Sequence, residues 1–567
     1  MFNSVKEEKE ISYYLKIDIS GIQDFVFRVY GRSGVAKTLR ARSFYLEALT
    51  KAVALSIKEI FNEVFEGVVR PEILDGGGSL EVQFSLPSSK TQQLKKLKDE
   101  LENFKKKLEK FLKNYLKGSL GVAFTLPHKT PEELAENLEE SKRRKFLSLF
   151  EDEEDGYLIE KPKRVLCPVC RLFFYDPQNE EDDRCDFCKA LGNLGRLLPK
   201  NNFCVRKNSD SVKLKLPELL DDYSLVEKRD CAPDERLKGV VVPLMAKSLT
   251  DDKDLSSLKG KVSDELISEL KDEDIEKGDI APFEIIALYA KGDKKLGYLL
   301  MDVDNLGLFF SEIKDFGLRK FVSEKLNSFF KDKVAEIAKN FAPNEDDDIE
   351  KKLEVRLIEG TKIYILYAGG DDLFAIAPWN VLIDFALKIN KKFDDFKRDL
   401  LEKLKNSFSN RGEEELGNVL EKVEKFTLSA GLVISRPKFT VRIAADWVKE
   451  AESLAKRAPD KNSIYLFGET LKWDRLKEVV EEANRWVNFV EDKVIPRGFF
   501  YKLLQLYKVY HRGEKAFKFY PFAYYFIARN LKDEELKNRI VKIVESYPEK
   551  GGFKVFCNYV LMATRGG

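Results

Sequence analysis

Histidine is almost absent from this chain. Only His128 and His511 occur in 567 residues, and neither is followed by aspartate. A metal-dependent nuclease centre of the His-Asp kind needs several histidines, so that chemistry is not expected here. Surplus charge of either sign is also missing, since 98 basic and 97 acidic side chains leave a net charge of +1. A free-standing nucleic-acid binder usually carries a basic excess, so any such contact must come from local patches. There is no apolar run of the roughly 18 residues a membrane span requires. The first residues, MFNSVKEEKE, are charged where a signal peptide would be apolar. A cytoplasmic protein without membrane contact is expected.

What is present supports several packed cores. Apolar residues make up 43% and aromatics 12% of the chain, and its length implies three or four domains. Residues 13–20 (YYLKIDIS) read as a strand and 38–60 as a helix. A strand then ends at Asp75-Gly76-Gly77-Gly78, and Leu80–Leu86 forms its partner across the turn. Between Leu94 and Tyr115 apolar residues recur every three or four positions, which predicts an amphipathic helix, and 119–126 returns as a strand. Strand, helix, hairpin, helix, strand is the order of a ferredoxin-like or palm domain, an antiparallel sheet backed by helices.

The same order recurs in strand 296–304, helix 317–341, hairpin 362–378, helix 379–405, strand 426–435, helix 441–458 and strand 463–467. Asp18-Ile-Ser20-Gly21 aligns with Asp302-Val-Asp304-Asn305, an internal duplication. The predicted fold class is therefore α+β: two palm domains of nucleotidyl-cyclase type, a metal-binding insert and a C-terminal helical domain. The boundaries expected are 1–150 for a first, non-catalytic palm, 151–290 for a cysteine-bearing and linker region, 291–470 for a second palm, and 471–567 for a helical bundle. Acidic runs at 151–155, 180–183 and 346–348 read as solvated loops.

The strongest chemical signal pairs Asp302-x-Asp304 with Gly369-Gly370-Asp371-Asp372. Alternate strand residues share a face, so Asp302 and Asp304 are expected to project together. Two glycines allow a tight hairpin and close approach of a phosphate. Converging carboxylates repel one another, and oxygen-only ligands favour magnesium or manganese. Two such ions activate an attacking hydroxyl and stabilise a leaving pyrophosphate. Against this stands the bland reading of two acidic turns, because Gly-Asp pairs are common turn formers. Downstream, Ser429-Ala-Gly431, Ala455-Lys456 and Lys461-Asn462 add a hydroxyl and two cations suited to a triphosphate.

Cys167-Pro-Val-Cys170 and Cys185-Asp-Phe-Cys188, fourteen residues apart, have the spacing of a four-cysteine zinc knuckle. The remaining cysteines, Cys204, Cys231 and Cys557, read as ordinary thiols. Lysines at 95, 96, 98, 105, 106, 107, 110 and 113 crowd one predicted helix, which reads first as a solvated face.

Asp302-x-Asp, the Gly-Gly-acid-acid hairpin, S-x-G and A-K followed by K-N resemble the GGDEF-type cyclase palm. The wider set is similar to the polymerase-type large subunit of type III CRISPR effectors: SGIQDFVF (20–27), LRARSFYLEAL (39–49), DGGG (75–78), the paired C-x-x-C motifs, MDVDNLG (301–307), AGGDDLF (368–374) and KNSIYLFGE (461–469). That resemblance implies synthesis of cyclic oligoadenylates from ATP, triggered by target RNA within a guide-RNA complex with other effector subunits. It implies Asp302, Asp371 and Asp372 as catalytic metal ligands, with Asp304, Gly369, Gly370, Ser429, Lys456 and Lys461 at the nucleotide. Gly76, Gly77, Gly78 and Ser79 of the first palm would hold an acceptor ATP, and Arg40 and Arg42 would be phosphate contacts. Many family members begin with an HD nuclease domain, whereas this sequence starts at the first palm, so DNA cleavage is not expected of it. The alternatives are a stand-alone GGDEF-like cyclase and a catalytically silent ribonucleoprotein scaffold.

Overall fold

The structure is a computed structural model. It describes residues 10–30, 34–87, 92–144, 165–175, 184–200, 203–207, 218–220, 223–227, 244–245, 278–345, 347–353, 357–409, 413–510 and 517–565. The acidic runs at 151–155 and 180–183, together with Asp346, Cys231 and His511, lie outside them. The chain divides into two compact units. Unit 1 holds residues 1–240, 278–280 and 310–328, and unit 2 holds 241–277, 281–309 and 329–567.

Unit 1 is built on strands β1 (Glu10–Ser20), β2 (Glu72–Asp75), β3 (Ser79–Pro87) and β4 (Gly121–Phe124), in the order β2-β3-β1-β4. All the pairings are antiparallel. Helix α1 (Val35–Phe65) supplies the sheet's apolar cover, and Leu39, Leu49, Val53, Ile57 and Phe61 are fully buried. Helix α2 (Gln93–Asn114) buries Leu97, Leu101, Phe104, Leu108 and Phe111 along one stripe, leaving lysines such as Lys95, Lys96, Lys106 and Lys110 in solvent. That is the amphipathic spacing of the sequence realised.

Helix α3 (Pro131–Arg143) is an element the sequence reading passed over. Its signal was there: Thr130 accepts a hydrogen bond from the Glu133 amide at 3.2 Å, and Pro131 fills the first helical position. After it, helix α4 (Asp186–Leu197) packs directly on α1, because a Cβ on Gly195 would lie 2.5 Å from the Lys37 carbonyl oxygen.

Unit 2 carries a six-stranded sheet. Its strands are β5 (Leu296–Val303), β6 (Tyr364–Gly369), β7 (Asp372–Pro378), β8 (Leu428–Ser435), β9 (Ser463–Leu466) and β10 (Glu469–Lys472), in the order β6-β7-β5-β8-β9-β10. The first four repeat the topology and antiparallel sense of unit 1, which bears out the duplication. Strand β9 joins β8 in parallel, and β10, which is not among the expected strands, closes a short hairpin with it.

Residues 310–328, expected with the 291–470 segment, pack instead within unit 1. They include helix α5 (Phe316–Ser328). Its Arg319 forms a buried two-pronged ion pair with Glu81 of β3, at 2.7 and 3.0 Å. A buried pair with one partner removed is strongly destabilising, which ties the helix to that sheet. Beyond the helix, at 329–333, the chain makes a π-turn, so the single helix expected over 317–341 is interrupted.

The sheet of unit 2 is backed by α6 (Trp379–Ser407) and α7 (Val441–Lys456). The C-terminal helices are α8 (Trp473–Glu491), α9 (Gly498–Tyr510), α10 (Phe519–Asn530), α11 (Glu534–Lys550) and α12 (Phe553–Ala563). They fall in the segment expected to be helical, and Trp473 and Glu469 are among the residues that bond them to the sheet. Trp473 Nε1 donates to the Leu428 carbonyl at 2.8 Å, and Glu469 accepts from the amides of Gly552, Lys554 and Val555 at the start of α12. A carboxylate at a helix N-terminus satisfies donors that have no partner within the helix. No described helix is long and apolar enough to cross a membrane.

Candidate functional site

The hairpin between β6 and β7 turns through two residues, Gly370 and Asp371, with Gly369 paired to Asp372. Gly370 has φ +64°, a left-handed conformation that glycine adopts without steric cost. Strand β5 lies beside β7 in a register that sets Asp302 opposite Asp372, and on its other side Asp302 faces Ser429 of β8. The Val303 amide donates to the Asp371 carbonyl at 3.1 Å, fixing the turn against the end of β5. Asp302, Asp371 and Asp372 are thereby brought to one sheet edge, all half-buried.

Helix α7 lies over this edge because β8 carries Gly431. A Cβ there would come within 2.3 Å of the Glu452 amide nitrogen and 2.4 Å of the Val448 carbonyl. Buried Ala444, Ala445, Ala451 and Ala455 continue the close fit. The helix delivers Lys456, whose ammonium pairs with Asp302 and, at 2.6 Å, with Glu452. Glu452 was not singled out from sequence. Its signal is the four-residue spacing to Lys456, which puts both on one helix face.

Four carboxylates thus surround one ammonium, and the titration of the three aspartates reflects it. Burial, then the Asp371 carboxylate, push Asp302 up to about 7 against the pull of Lys456. Burial raises Asp371, with its own backbone amide and Lys456 opposing. Burial followed by Asp371 and Asp302 raises Asp372 well above the usual carboxylate range. For Lys456 burial works against the charge, but Asp302 and Glu452 outweigh it and hold the ammonium above its ordinary value. An excess of negative charge that the chain does not itself neutralise fits a divalent cation. The three aspartates do not form a ready-made cage, however. Among the described residues the compact metal-ligand group is the cysteine quartet.

The other residues predicted for the nucleotide are placed differently. Asp304 and Ser429 are fully buried and bonded to each other at 2.8 Å, so neither presents its side chain beside Asp302 at the surface. Asp304 lies one residue beyond the end of β5 at Val303. Lys461 sits on a turn next to this edge, its Nζ 3.0 Å from Asn305 Oδ1.

In unit 1, Asp18 of β1 faces Ser79 of β3, and Lys142 of α3 lies 3.5 Å from Asp18. The turn glycines there answer to packing as well as to any ligand. Gly77 and Gly78 have φ +75° and +134°, and a Cβ on Gly78 would lie 2.4 Å from Ile22 Cδ1. Gly76 closes the turn by donating its amide to the Ser79 carbonyl at 2.8 Å.

The sulfurs of Cys167, Cys170, Cys185 and Cys188 are buried and lie within 4.8 Å of one another, with Cys170 and Cys185 3.8 Å apart. A tetrahedron with metal–sulfur bonds of about 2.3 Å has an edge of about 3.8 Å, so the quartet fits zinc. Arg42 lies against it, donating to the Phe25 carbonyl at 2.8 Å and reaching Cys188 Sγ at 4.0 Å between the Phe25 and Phe187 rings. Arg40 and Arg42, expected as phosphate contacts, are both buried. Cys204 is disulfide-bonded rather than the free thiol expected, while Cys557 is a buried free thiol.

Comparison with known proteins agrees with this geometry. The profile of the Cas10/Cmr2 second palm domain matches residues 295–465, and that of Csm1 subunit domain B matches 12–157. The Mycobacterium tuberculosis protein named CRISPR system single-strand-specific deoxyribonuclease Cas10/Csm1 (subtype III-A) is 25% identical, over 89% of this chain and 61% of its own length. Its Enterococcus italicus namesake is 24% identical over 94% and 64%. The chain therefore spans about three fifths of the length of these curated relatives. Among solved structures, a Csm1–Csm4 cassette in complex with one ATP superposes with TM-score 0.62 at 19% identity, covering 99% of this chain and 70% of that one. A Csm1–Csm4 cassette in complex with cA3 gives 0.61 at 18%, covering 100% and 71%. Homologous to Cas10/Csm1 over most of its length, the chain belongs to the family of large palm-bearing subunits of type III CRISPR effectors.

Proposed function

We propose that the carboxylate edge of unit 2 performs nucleotidyl transfer on ATP and closes the products into cyclic oligoadenylates. We propose further that it does so within a type III effector carrying guide RNA and responding to target RNA. The observation that carries this is the register: Asp302 opposite Asp372, with Asp371 on the adjoining turn and Lys456 over them. The solved relatives in complex with ATP, pppApA and cA3 support the substrate and product class. Those relatives are Csm1–Csm4 assemblies, which supports a Csm4-type partner subunit.

In this reading a 3′-hydroxyl attacks the α-phosphate of ATP, forming a phosphodiester and releasing pyrophosphate. Magnesium or manganese held by Asp302, Asp371 and Asp372 would supply positive charge to the attacking and leaving oxygens. Lys456, paired with Asp302 and Glu452, stands ready to turn its ammonium toward the triphosphate, with Lys461 as a second cation. The strand order and antiparallel sense of both units support reading each as a ferredoxin-like palm. In unit 1, Gly76, Gly77, Gly78 and Ser79 would face a bound acceptor nucleotide without catalysing its reaction. The cysteine quartet would hold a structural zinc. Deoxyribonuclease activity, which the relatives' names carry, is not extended to residues that include only two histidines.

The test is Asp371→Ala with Asp372→Ala, assembled with its partners and supplied with target RNA. Loss of metal-bound charge at both oxygens should cost at least about a thousandfold in ATP turnover. Melting and RNA binding should be unchanged, because removing repelling acids relieves strain at a hairpin end. Near-normal turnover would move the chemistry elsewhere. Cyclic dinucleotide made from GTP would favour the stand-alone cyclase.

A further inference from the structure

Asp304 occupies a place of its own in unit 2. Its Oδ2 accepts hydrogen bonds from Thr427 Oγ1 at 2.7 Å, Ser429 Oγ at 2.8 Å and the Asn462 amide at 3.1 Å. Its own amide donates to the Thr427 carbonyl at 2.8 Å. The side chain is fully buried, and Oδ1 has no hydrogen-bond partner among the described residues. One carboxylate oxygen therefore ties the end of β5 to the start of β8 and to the loop before β9.

That loop is strained. Asp460, Lys461 and Asn462 have φ of +58°, +48° and +45°, three successive side-chain-bearing residues in the left-handed region. Such residues occur there singly, because Cβ crowds the following carbonyl, and a run of three needs outside support. The support is visible. Asp304 holds the Asn462 amide, Asn305 Oδ1 accepts from Lys461 Nζ, and Ser463 Oγ donates to the Lys461 carbonyl at 2.6 Å. Lys472 Nζ reaches the Pro459 and Lys461 carbonyls from β10. Asn305 is itself left-handed, at φ +67°, and its Nδ2 donates to the Lys425 carbonyl at 2.9 Å.

We infer that Asp304 is a positioning residue, clamping the left-handed 460–462 turn and thereby fixing where the Lys461 ammonium meets the nucleotide. The inference rests on the reading of this edge as an ATP site. It gives Asp304 a role distinct from that of Asp302, two residues earlier: Asp302 faces the reacting edge, while Asp304 faces inward and acts through the turn.

The experiment uses the full chain in its complex and compares Asp304→Asn, Lys461→Met, the double variant, and Asp304→Asn combined with Asn462→Gly. Hydrogen exchange of the peptide spanning 457–463 should speed up in Asp304→Asn. ATP affinity by equilibrium dialysis and KM should each weaken about tenfold, with kcat held within about threefold. Lys461→Met should weaken KM similarly, and the double variant should add little, since both changes remove one interaction. Asn462→Gly in the Asp304→Asn background should recover most of the affinity, because glycine takes the left-handed conformation freely.

Unchanged exchange at 457–463 overturns the clamp. So do multiplying effects of the two single variants, or a fall in kcat with a raised magnesium requirement that Asn462→Gly does not rescue. The last result would make Asp304 a metal ligand. If the unaltered complex turns over no ATP, the functional reading falls, while the exchange and dialysis measurements still judge the clamp.

Discussion

The two palm sheets carry the same register but different chemistry. Asp18 lies opposite Ser79 in one and Asp302 opposite Asp372 in the other, each with a lysine from the following helix, Lys142 or Lys456, beside the first acid. The acid–lysine pair is thus common to both units, and the hairpin is what differs. In unit 1 three glycines and a serine turn the chain, whereas in unit 2 two residues do so and leave carboxylates at 371 and 372.

The covering helix differs as well. Gly431 of β8 lets α7 rest its backbone on the strand, but the matching place in unit 1 is held by Thr125, which follows Phe124 opposite Ile17 and binds the Lys16 amide at 2.8 Å. There α3 meets the strand through Ser141, whose Oγ accepts from the Phe124 amide at 2.9 Å. A duplicated topology therefore preserves where groups sit, while two or three residues decide whether the site concentrates negative charge.

The comparison breaks most visibly at the metal. Cys167→Ser with Cys185→Ser should remove about one zinc per chain and cost unit 1 several kcal/mol, because zinc binding supplies folding free energy directly. Local melting of unit 1, with unit 2 intact, is the expected calorimetric outcome. Elemental analysis finding no zinc in chelator-free protein would sink the assignment.

Gly431→Ala probes the helix contact. The added methyl has no room against the α7 backbone, so about 1–3 kcal/mol of stability should be lost. ATP turnover should fall as Glu452 and Lys456 move. An unchanged melting temperature and unchanged turnover would show that close approach is not what positions the lysine.

Ser79→Asp rebuilds the acidic pairing in unit 1. Opposed like charges on adjacent strands should cost about 0.2–1 kcal/mol. No second centre of turnover should appear, since the turn still lacks its own carboxylate. Activity surviving Asp371→Ala with Asp372→Ala in this background would refute the division of labour.

A further test is in pH. Asp302 titrates near 7 in the fold against 3.8 for a free aspartate, so folding favours its protonated form. That contribution is fully present below about pH 4 and is lost as pH rises through about 7. The metal-free chain should therefore melt lower as pH climbs across that window, and Asp302→Asn should flatten the slope. An identical slope in the variant would remove Asp302 as its source.

Much of the architecture was legible because periodicity and turn chemistry are local. The stripe from Leu97 to Phe111, the Gly370–Asp371 turn and the paired C-x-x-C motifs each declare their geometry within a few residues. The misses have a common cause. Helix α3 had a capping box but a weak apolar stripe, with only Leu134 and Leu138 buried, and no local pattern placed Arg42, expected as a phosphate contact, beside the cysteines.

By itself the sequence determined the two antiparallel sheets, the acidic hairpin and the thiol quartet, since spacing alone puts those groups together. Only the tertiary structure decided which acids do what. Strand β5 ends one residue before Asp304, which turns that carboxylate inward onto Thr427, Ser429 and Asn462. Helix α7 can rest on Gly431, which brings Glu452 and Lys456 to Asp302. Where Asp304 and Lys456 find their partners depends on residues more than a hundred positions away, and how closely α7 packs depends on a strand glycine some twenty positions before the contact, so no local pattern records them.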